Sequence, residues 1–314
     1  MDTIQGRVIR ARSGFYDVQR GDLLLRCRLR GSLKRRQRSE EGRRLYADPV
    51  AVGDEVIFTQ IDDEEGVIED ILPRRTKLSR RYPVTRRDQR IEQIVVANAD
   101  QIVIVISTRL PDFNLRFLDR FLILAEAGGL KATICLNKMD LVEGVEKQEL
   151  IAILEIYQKL GYQVIYTSIK DFESIENLGK ILAARFSVIV GASGVGKSSL
   201  LNVIQPGLGL RVADVGLKTR KGKHTTTLVE LLHLEIGGDV ADTPGIREVG
   251  LWGVDTKELE FYFPEIADYI GECRYRDCVH ITEPGCAVTE AVNNGAISDF
   301  RYQSYVALRT ESDE

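Results

Sequence analysis

Ten residues, GASGVGKSSL at 191–200, carry the spacing G-x-x-x-x-G-K-[ST] that lets a backbone wrap a polyphosphate. Gly191, Gly194 and Gly196 lack a Cβ, so successive N–H groups, including those of Ala192, Ser193 and Val195, can curl around phosphate oxygens. Lys197 has the reach and charge for the β- and γ-phosphates, and the Ser198 hydroxyl is a hard oxygen ligand for Mg2+. The apolar run FSVIV precedes the loop, and a helix start at Ser198 and Ser199 follows it. A helix N-terminus there adds partial positive charge where phosphate would sit. Strand, loop and helix together point to nucleotide binding and away from a chance glycine turn.

A second motif, NKMD at 137–140, lies 54 residues upstream of the loop. The Asp140 carboxylate can accept from both N1–H and the N2 amine of guanine. Adenine offers neither donor, and a carboxylate left unmatched in a pocket disfavours ATP. Asn137 is placed for the other edge of the base and Lys138 for its face, with Met139 between Lys138 and Asp140. Thr167 and Ser168, in TSIK at 167–170, end the next apolar run and offer a backbone N–H to guanine O6.

Downstream lie KGKHTTT (221–227) and DTPG (242–245). Asp242 is placed to hold Mg2+ through water, and the Gly245 N–H to face a γ-phosphate. A threonine of the triplet can ligate Mg2+ while that phosphate is present. Spacing does not separate Thr225, Thr226 and Thr227. The position after DTPG, often a water-orienting glutamine, is Ile246, which neither donates nor accepts. His224 is the nearest candidate for positioning water; the plain alternative is a loop histidine without a role.

Near the C-terminus Cys273, Cys278, His280 and Cys286 form C-x4-C-x-H-x5-C. Three thiolates and an imidazole complete a closed tetrahedral Zn2+ shell with no position left for substrate, a structural site. The alternative is three free thiols. Cys27 and Cys135 sit in apolar strand patterns and read as buried thiols. Five cysteines in a chain with no secretory leader do not suggest a disulfide framework.

The elements that must carry these residues fall into three groups. Through residue 72, four or five short β segments separated by Gly and Asp predict a small barrel. SLKRRQRSEEGRRLYADPV (32–50) reads as a mobile basic loop and 73–90 as a charged linker. From NADQIVIVIS onward, apolar strands alternate with helices, the pattern of a parallel sheet covered on both faces. The expected domains are 1–72, 73–250 and 251–314. At 44% hydrophobic and 29% charged residues, with no apolar run of membrane length, the composition predicts a cytoplasmic protein without a membrane partner. Residues 1–90 hold 21 Lys/Arg against 15 Asp/Glu, whereas the remainder carries a net −10. The basic third suggests a polyanion, with Lys34, Arg35, Arg36, Arg38, Arg43 and Arg44 as its contacts; a solvated charged surface is the bland alternative.

The common GTPase order is phosphate loop, switch threonine, DxxG and NKxD; here NKMD and TSIK come first. NADQIVIV, NKMD, GASGVGKSSLLN, KGKHTTT, DTPGIRE and the Cys-rich tail together resemble the circularly permuted GTPases, and within them the bacterial small-subunit ribosome biogenesis GTPases. The resemblance implies an N-terminal OB-fold β-barrel, a circularly permuted P-loop GTPase domain and a small C-terminal zinc-binding domain. It also implies Thr226 as the Mg2+ ligand, His224 at the hydrolytic water, and zinc on the four Cys/His positions. The expected activity is GTP hydrolysis in late 30S maturation, slow alone and stimulated by the subunit, with nucleotide state controlling rRNA binding and factor release. The expected partners are the small subunit, its rRNA and GTP/GDP, with the chain a monomer. The rivals are a non-catalytic RNA-binding assembly factor that uses GTP as a placement signal, and an ATPase disfavoured by Asp140.

Overall fold

Alternating burial drives the N-terminal strands to close on themselves. The computed structural model describes residues 3–12, 14–36, 46–81, 91–210, 229–242, 254 and 256–310. In β1 (Thr3–Arg12), β2 (Phe15–Arg20), β3 (Leu23–Leu29), β4 (Glu55–Gln60) and β5 (Glu65–Ile71), inward side chains such as Val8, Val18, Leu25, Cys27, Phe58 and Ile68 fill one core. β1 pairs with both β2 and β4, β2 with β3, β3 with β5 in parallel, and β5 with β4, so no edge is left free. Gly6 lies at a close approach: a Cβ there would stand 2.8 Å from the Gln19 carbonyl oxygen and from the Phe58 ring. This is the five-stranded barrel of an OB-fold.

Two expectations for the flanking segments are corrected. The stretch after β3 begins as a helix, α1 (Gly31–Arg36), because Leu33 is buried in the barrel core. The supposed linker contains a strand, β6 (Lys77–Arg81), paired antiparallel with β7 (Glu92–Ala97). Its Arg74 is held by both oxygens of the buried Asp54, at 2.7 Å each, and donates to the Pro49 carbonyl oxygen at 2.8 Å.

Strand–helix alternation then builds the sheet that carries the nucleotide motifs. Its elements are β8 (Gln101–Ser107), α2 (Leu115–Ala127), β9 (Lys131–Asn137), α3 (Gly144–Lys159), β10 (Gln163–Tyr166), α4 (Phe172–Leu182), β11 (Phe186–Val190), α5 (Lys197–Ile204), β12 (Glu230–His233) and β13 (Asp239–Asp242). The spatial order is β10-β9-β8-β11-β13-β12, parallel except for β12. Every residue of β8 and β11 is buried, as strands covered on both faces require. One core lies under α2 and α3 and another under α4 and α5. β12 also pairs with β1 through Arg10 and Glu230, so barrel and sheet share one hydrogen-bonded surface. Arg7 reinforces the joint, bonding Glu55 at 3.0 Å and Asp239 at 3.3 Å.

The C-terminal unit comprises a 3-10 segment at Thr256–Tyr262, α6 (Pro264–Ala267), α7 (Ala287–Asn293) and α8 (Asp299–Thr310). Its core of Leu259, Phe263, Ile266, Val288 and Tyr305 includes Ile123 of α2. Beside it the Arg301 guanidinium, 1% exposed, joins Glu265 at 2.6 Å and Asp119 of α2. Tyr157 of α3 donates to the same Asp119 at 2.7 Å.

Candidate functional site

All the described nucleotide motifs stand at the C-terminal ends of neighbouring strands, the side where open α/β sheets bind ligands. GASGVGK leaves β11 and turns into α5 with Gly191, Gly194 and Gly196 at φ of 155°, 84° and 103°. The last two lie in the left-handed region, where glycine carries no Cβ penalty. A Cβ on Gly196 would fall 2.3 Å from Asn137 Nδ2, and one on Gly191 would fall 2.4 Å from the Val105 carbonyl oxygen. The loop is therefore packed directly against the ends of β8 and β9. Lys197 donates to the carbonyl oxygens of Gly191 at 2.6 Å and Ala192 at 3.1 Å. Ser198 and Ser199 follow in the first turn of α5.

The NKMD segment lies against this loop despite the intervening chain. Asn137 is buried, donates to the Val195 carbonyl oxygen at 2.8 Å and accepts from Thr167 Oγ1 at 3.0 Å. Both ends of its amide are thus engaged within the protein, so it ties β9, the TSIK turn and the phosphate loop together. Lys138, in a left-handed conformation, donates to the carbonyl oxygens of Gly194, at 2.6 Å, and Leu110. Met139 N donates to the Thr167 carbonyl oxygen at 3.1 Å. Asp140 accepts from Ser168 Oγ at 2.7 Å and pairs with Lys170 at 2.8 Å. The Lys170 ammonium, aided by Ser168, holds its carboxyl below the ordinary aspartate range and thus charged.

Asp242 ends β13 in register with Ile189 of β11, just before the phosphate loop begins. Ser198, in the first turn of the helix that follows β11, and Asp242, at the end of the neighbouring β13, are a hydroxyl and a carboxylate, an oxygen donor set suited to Mg2+. His224, Thr226 and Gly245 lie outside the described residues, as do Arg38, Arg43 and Arg44. Lys34, Arg35 and Arg36 fall in α1. Three contributors were not singled out from sequence. Lys170 neutralises Asp140, Thr108 donates to the Lys138 carbonyl oxygen at 2.8 Å, and the Ser174 hydroxyl receives the Ser168 N–H at 3.2 Å. Lys170 had a signal, its place in TSIK; the other two carry none.

The second site is local. Ligand atoms of Cys273, Cys278, His280 and Cys286 lie within 4.8 Å of one another. Cys273 Sγ is 3.8 Å from Cys286 Sγ, and His280 Nδ1 is 3.4 Å from both. Tetrahedral ligands about 2.0–2.3 Å from a zinc ion are roughly 3.5–3.8 Å apart, so donor set and spacing both fit zinc. Glu283 secures the loop between them, accepting from the N–H groups of Val279 at 2.9 Å and of Ile281 and Thr282 at 3.0 Å. Partial burial would raise its pKa, but these three donors outweigh it and hold the carboxyl at about 2.

Comparison with known proteins agrees with this geometry. Residues 71–252 match the RsgA GTPase family model and residues 5–68 the RsgA N-terminal domain model. The chain is 47% identical over 264 residues to the small ribosomal subunit biogenesis GTPase RsgA of Gemmatimonas aurantiaca, covering 83% of this chain and 84% of that protein. It is 40% identical over 308 residues to the protein of that name from Moorella thermoacetica, covering 98% and 97%. Among solved structures, YjeQ from Thermotoga maritima superposes with a TM-score of 0.77 at 34% identity, covering 98% of each chain. YloQ, described as a circularly permuted GTPase, superposes at 0.70 and 34%, covering 99% of this chain and 95% of its own.

Proposed function

The chain belongs to the RsgA GTPase family, and we propose that it couples GTP hydrolysis to late maturation of the small ribosomal subunit, with the subunit accelerating a slow intrinsic turnover. That it is a GTP hydrolase follows from the family; the stimulation, and control of rRNA grip and factor release by nucleotide state, are our reading. The observation that carries it is the convergence of NKMD, TSIK and the phosphate loop at the same end of one sheet, joined by hydrogen bonds, in permuted chain order.

In this reading the N–H groups of 191–196 and the Lys197 ammonium receive the phosphates, and Asp140 accepts from guanine while Lys170 keeps it charged. Ser198, Asp242 and Thr226 hold Mg2+, which supplies charge neutralisation at the phosphates. His224 positions water, and the Gly245 N–H faces the γ-phosphate. Ile246 supplies no hydrogen bond to water, so an incomplete site awaits a partner; completing such a site in trans is worth on the order of 10³–10⁵ in rate. The barrel of 1–72, with the basic residues 34–44, tracks rRNA phosphates. Beyond it the GTPase unit spans 73–250, and 251–314 forms the zinc unit. A cytoplasmic monomer without a membrane partner completes the proposal; no described helix is long and apolar enough to cross a membrane.

The test is GTP turnover by the pure protein at fixed Mg2+ and salt, alone and with small or large ribosomal subunits. Stimulation by the small subunit only is expected. Tight GTP binding with no stimulation would instead support a non-catalytic assembly factor.

A further inference from the structure

Beside the Cys/His cluster stands a carboxylate that the four ligand positions do not include. His280 turns Nδ1 toward the thiols, 3.4 Å from the Sγ of both Cys273 and Cys286. Its other ring nitrogen, Nε2, lies 4.0 Å from Glu260 Oε2. The same oxygen is 4.0 Å from Arg309 Nη1, so it sits between an imidazole and a guanidinium.

An imidazole that gives one nitrogen to a metal keeps a proton on the other, and a buried N–H left without an acceptor is costly. His280 is 3% exposed, so its Nε2–H needs a partner from the protein. Glu283 is the acid nearest in sequence, but its two oxygens are taken by the N–H groups of Val279, Ile281 and Thr282. Among the described residues Glu260 is the acid at ion-pair distance from the ring. A small side-chain rotation closes that gap to hydrogen-bond length, about 2.7–3.2 Å.

Packing holds both partners. Glu260 lies beside Leu259 and three residues before Phe263, both in the C-terminal core, and its carbonyl oxygen accepts from Phe263 N at 3.4 Å. His280 is kept at a left-handed φ of 62° by α8. Tyr302 Oη donates to its carbonyl oxygen at 2.8 Å, and Tyr305 Oη to that of Val279 at 3.0 Å. A non-glycine residue persists in that conformation where its surroundings over-determine it. Charge balances as well. Three thiolates around a divalent ion leave a negative shell that repels a carboxylate, and Arg309 supplies the cation that offsets this.

We propose that Glu260 is a positioning residue of the metal site, accepting the Nε2–H of His280 while Nδ1 serves as the ligand atom. The proposal rests on the reading that zinc occupies the Cys/His cluster, and it brings into the site a residue from outside 273–286. A carboxylate behind a ligating histidine fixes the tautomer and the direction of the ring and raises the basicity of the ligand nitrogen.

The test uses the full-length, zinc-loaded protein with Glu260→Ala and Glu260→Gln. Zinc affinity is read by competition with a chelator. The chain has three histidines, so nitrogen-15 histidine labelling resolves the His280 ring by NMR. In the parent, Nδ1 should be metal-bound, with a protonated Nε2 whose hydrogen is protected from solvent exchange. Glu260→Ala should lower zinc affinity by about tenfold or more and speed that exchange. Glu260→Gln keeps the size and an acceptor oxygen, so its affinity loss should be smaller and the N–H should stay protected. Parental affinity and exchange in Glu260→Ala would overturn the proposal. So would equal affinity losses in both variants with the Nε2–H unchanged, which would assign Glu260 to packing alone. A protonated Nδ1 with Nε2 on the metal also overturns it. If the parent chain retains no zinc, the zinc reading itself fails and the proposal with it.

Discussion

The nucleotide pocket and the Cys/His knuckle both hold short motifs in fixed geometry, by opposite means. The knuckle draws four ligands from 14 consecutive residues, so its order is local and a single ion can enforce it. The pocket gathers residues from 108 to 242, and the sheet enforces their positions through adjacent strand ends. A site held by a sheet depends on which strands are neighbours and is indifferent to their order along the chain. That is why the motif order can rotate without loss of the pocket, whereas the knuckle's spacing has no such freedom.

The largest expected effect separates the two supports. Removing the metal with a chelator, or replacing Cys286 with Ala, forfeits on the order of 10 kcal/mol of binding free energy that a small unit relies on to fold. Amide exchange in 256–310 should rise to unprotected rates, while GTP affinity changes by less than about threefold. Simultaneous collapse of nucleotide binding would show that the sheet does not stand by itself.

Next is the contact between the two regions. Arg301→Leu would strand Asp119 and Glu265 as buried carboxylates without a cation, a loss of about 3–5 kcal/mol. Denaturant unfolding should show a lowered midpoint and a knuckle that releases before the sheet. A single unshifted transition would mean that the cluster does not join them.

Smaller, and confined to the pocket, is Gly196→Ala. At φ 103° the new Cβ meets Asn137 Nδ2, a buried amide already committed to Val195 and Thr167. Strain and displacement should cost about 2 kcal/mol or more in stability and weaken GTP at least about tenfold, read by calorimetry. The knuckle's metal content should not change.

The same contrast explains what the sequence disclosed. The knuckle is legible because all its ligands lie in one short string, and GASGVGKS because strand, loop and helix are contiguous. NKMD is legible as a motif, but its hydrogen bonds to the loop arise only from strand neighbourhood. Where burial depends on one distant partner, periodicity is silent. Arg74 reads as part of a charged linker until Asp54, from the barrel, encloses its guanidinium. Leu33 is a lone apolar residue in SLKRRQR, too little to give a helical period, yet it seats α1 on the barrel. Arg301 carries no local signal of burial because its partners stand on two other elements. The joint between barrel and sheet, Arg10 with Glu230, crosses 220 residues and leaves no local trace.

The mildest prediction concerns Lys170, which no local pattern marks as more than the last letter of TSIK. Asp140 must be ionised to accept two hydrogen bonds from guanine, and the Lys170 ammonium favours that form. A carboxyl whose pKa is held down keeps its charge above its ordinary range and loses it only as pH falls through the depressed value. In Lys170→Met the pKa returns toward the ordinary aspartate range, so protonation begins at higher pH than in the parent. Near neutral pH both carboxyls are charged, and because Lys170 is largely exposed, GTP affinity should fall by about threefold or less. The variant-to-parent affinity ratio should then drop further as pH falls into the ordinary aspartate range. A ratio independent of pH would assign Lys170 to the base or the surface and leave Asp140 charged by its other partner, Ser168.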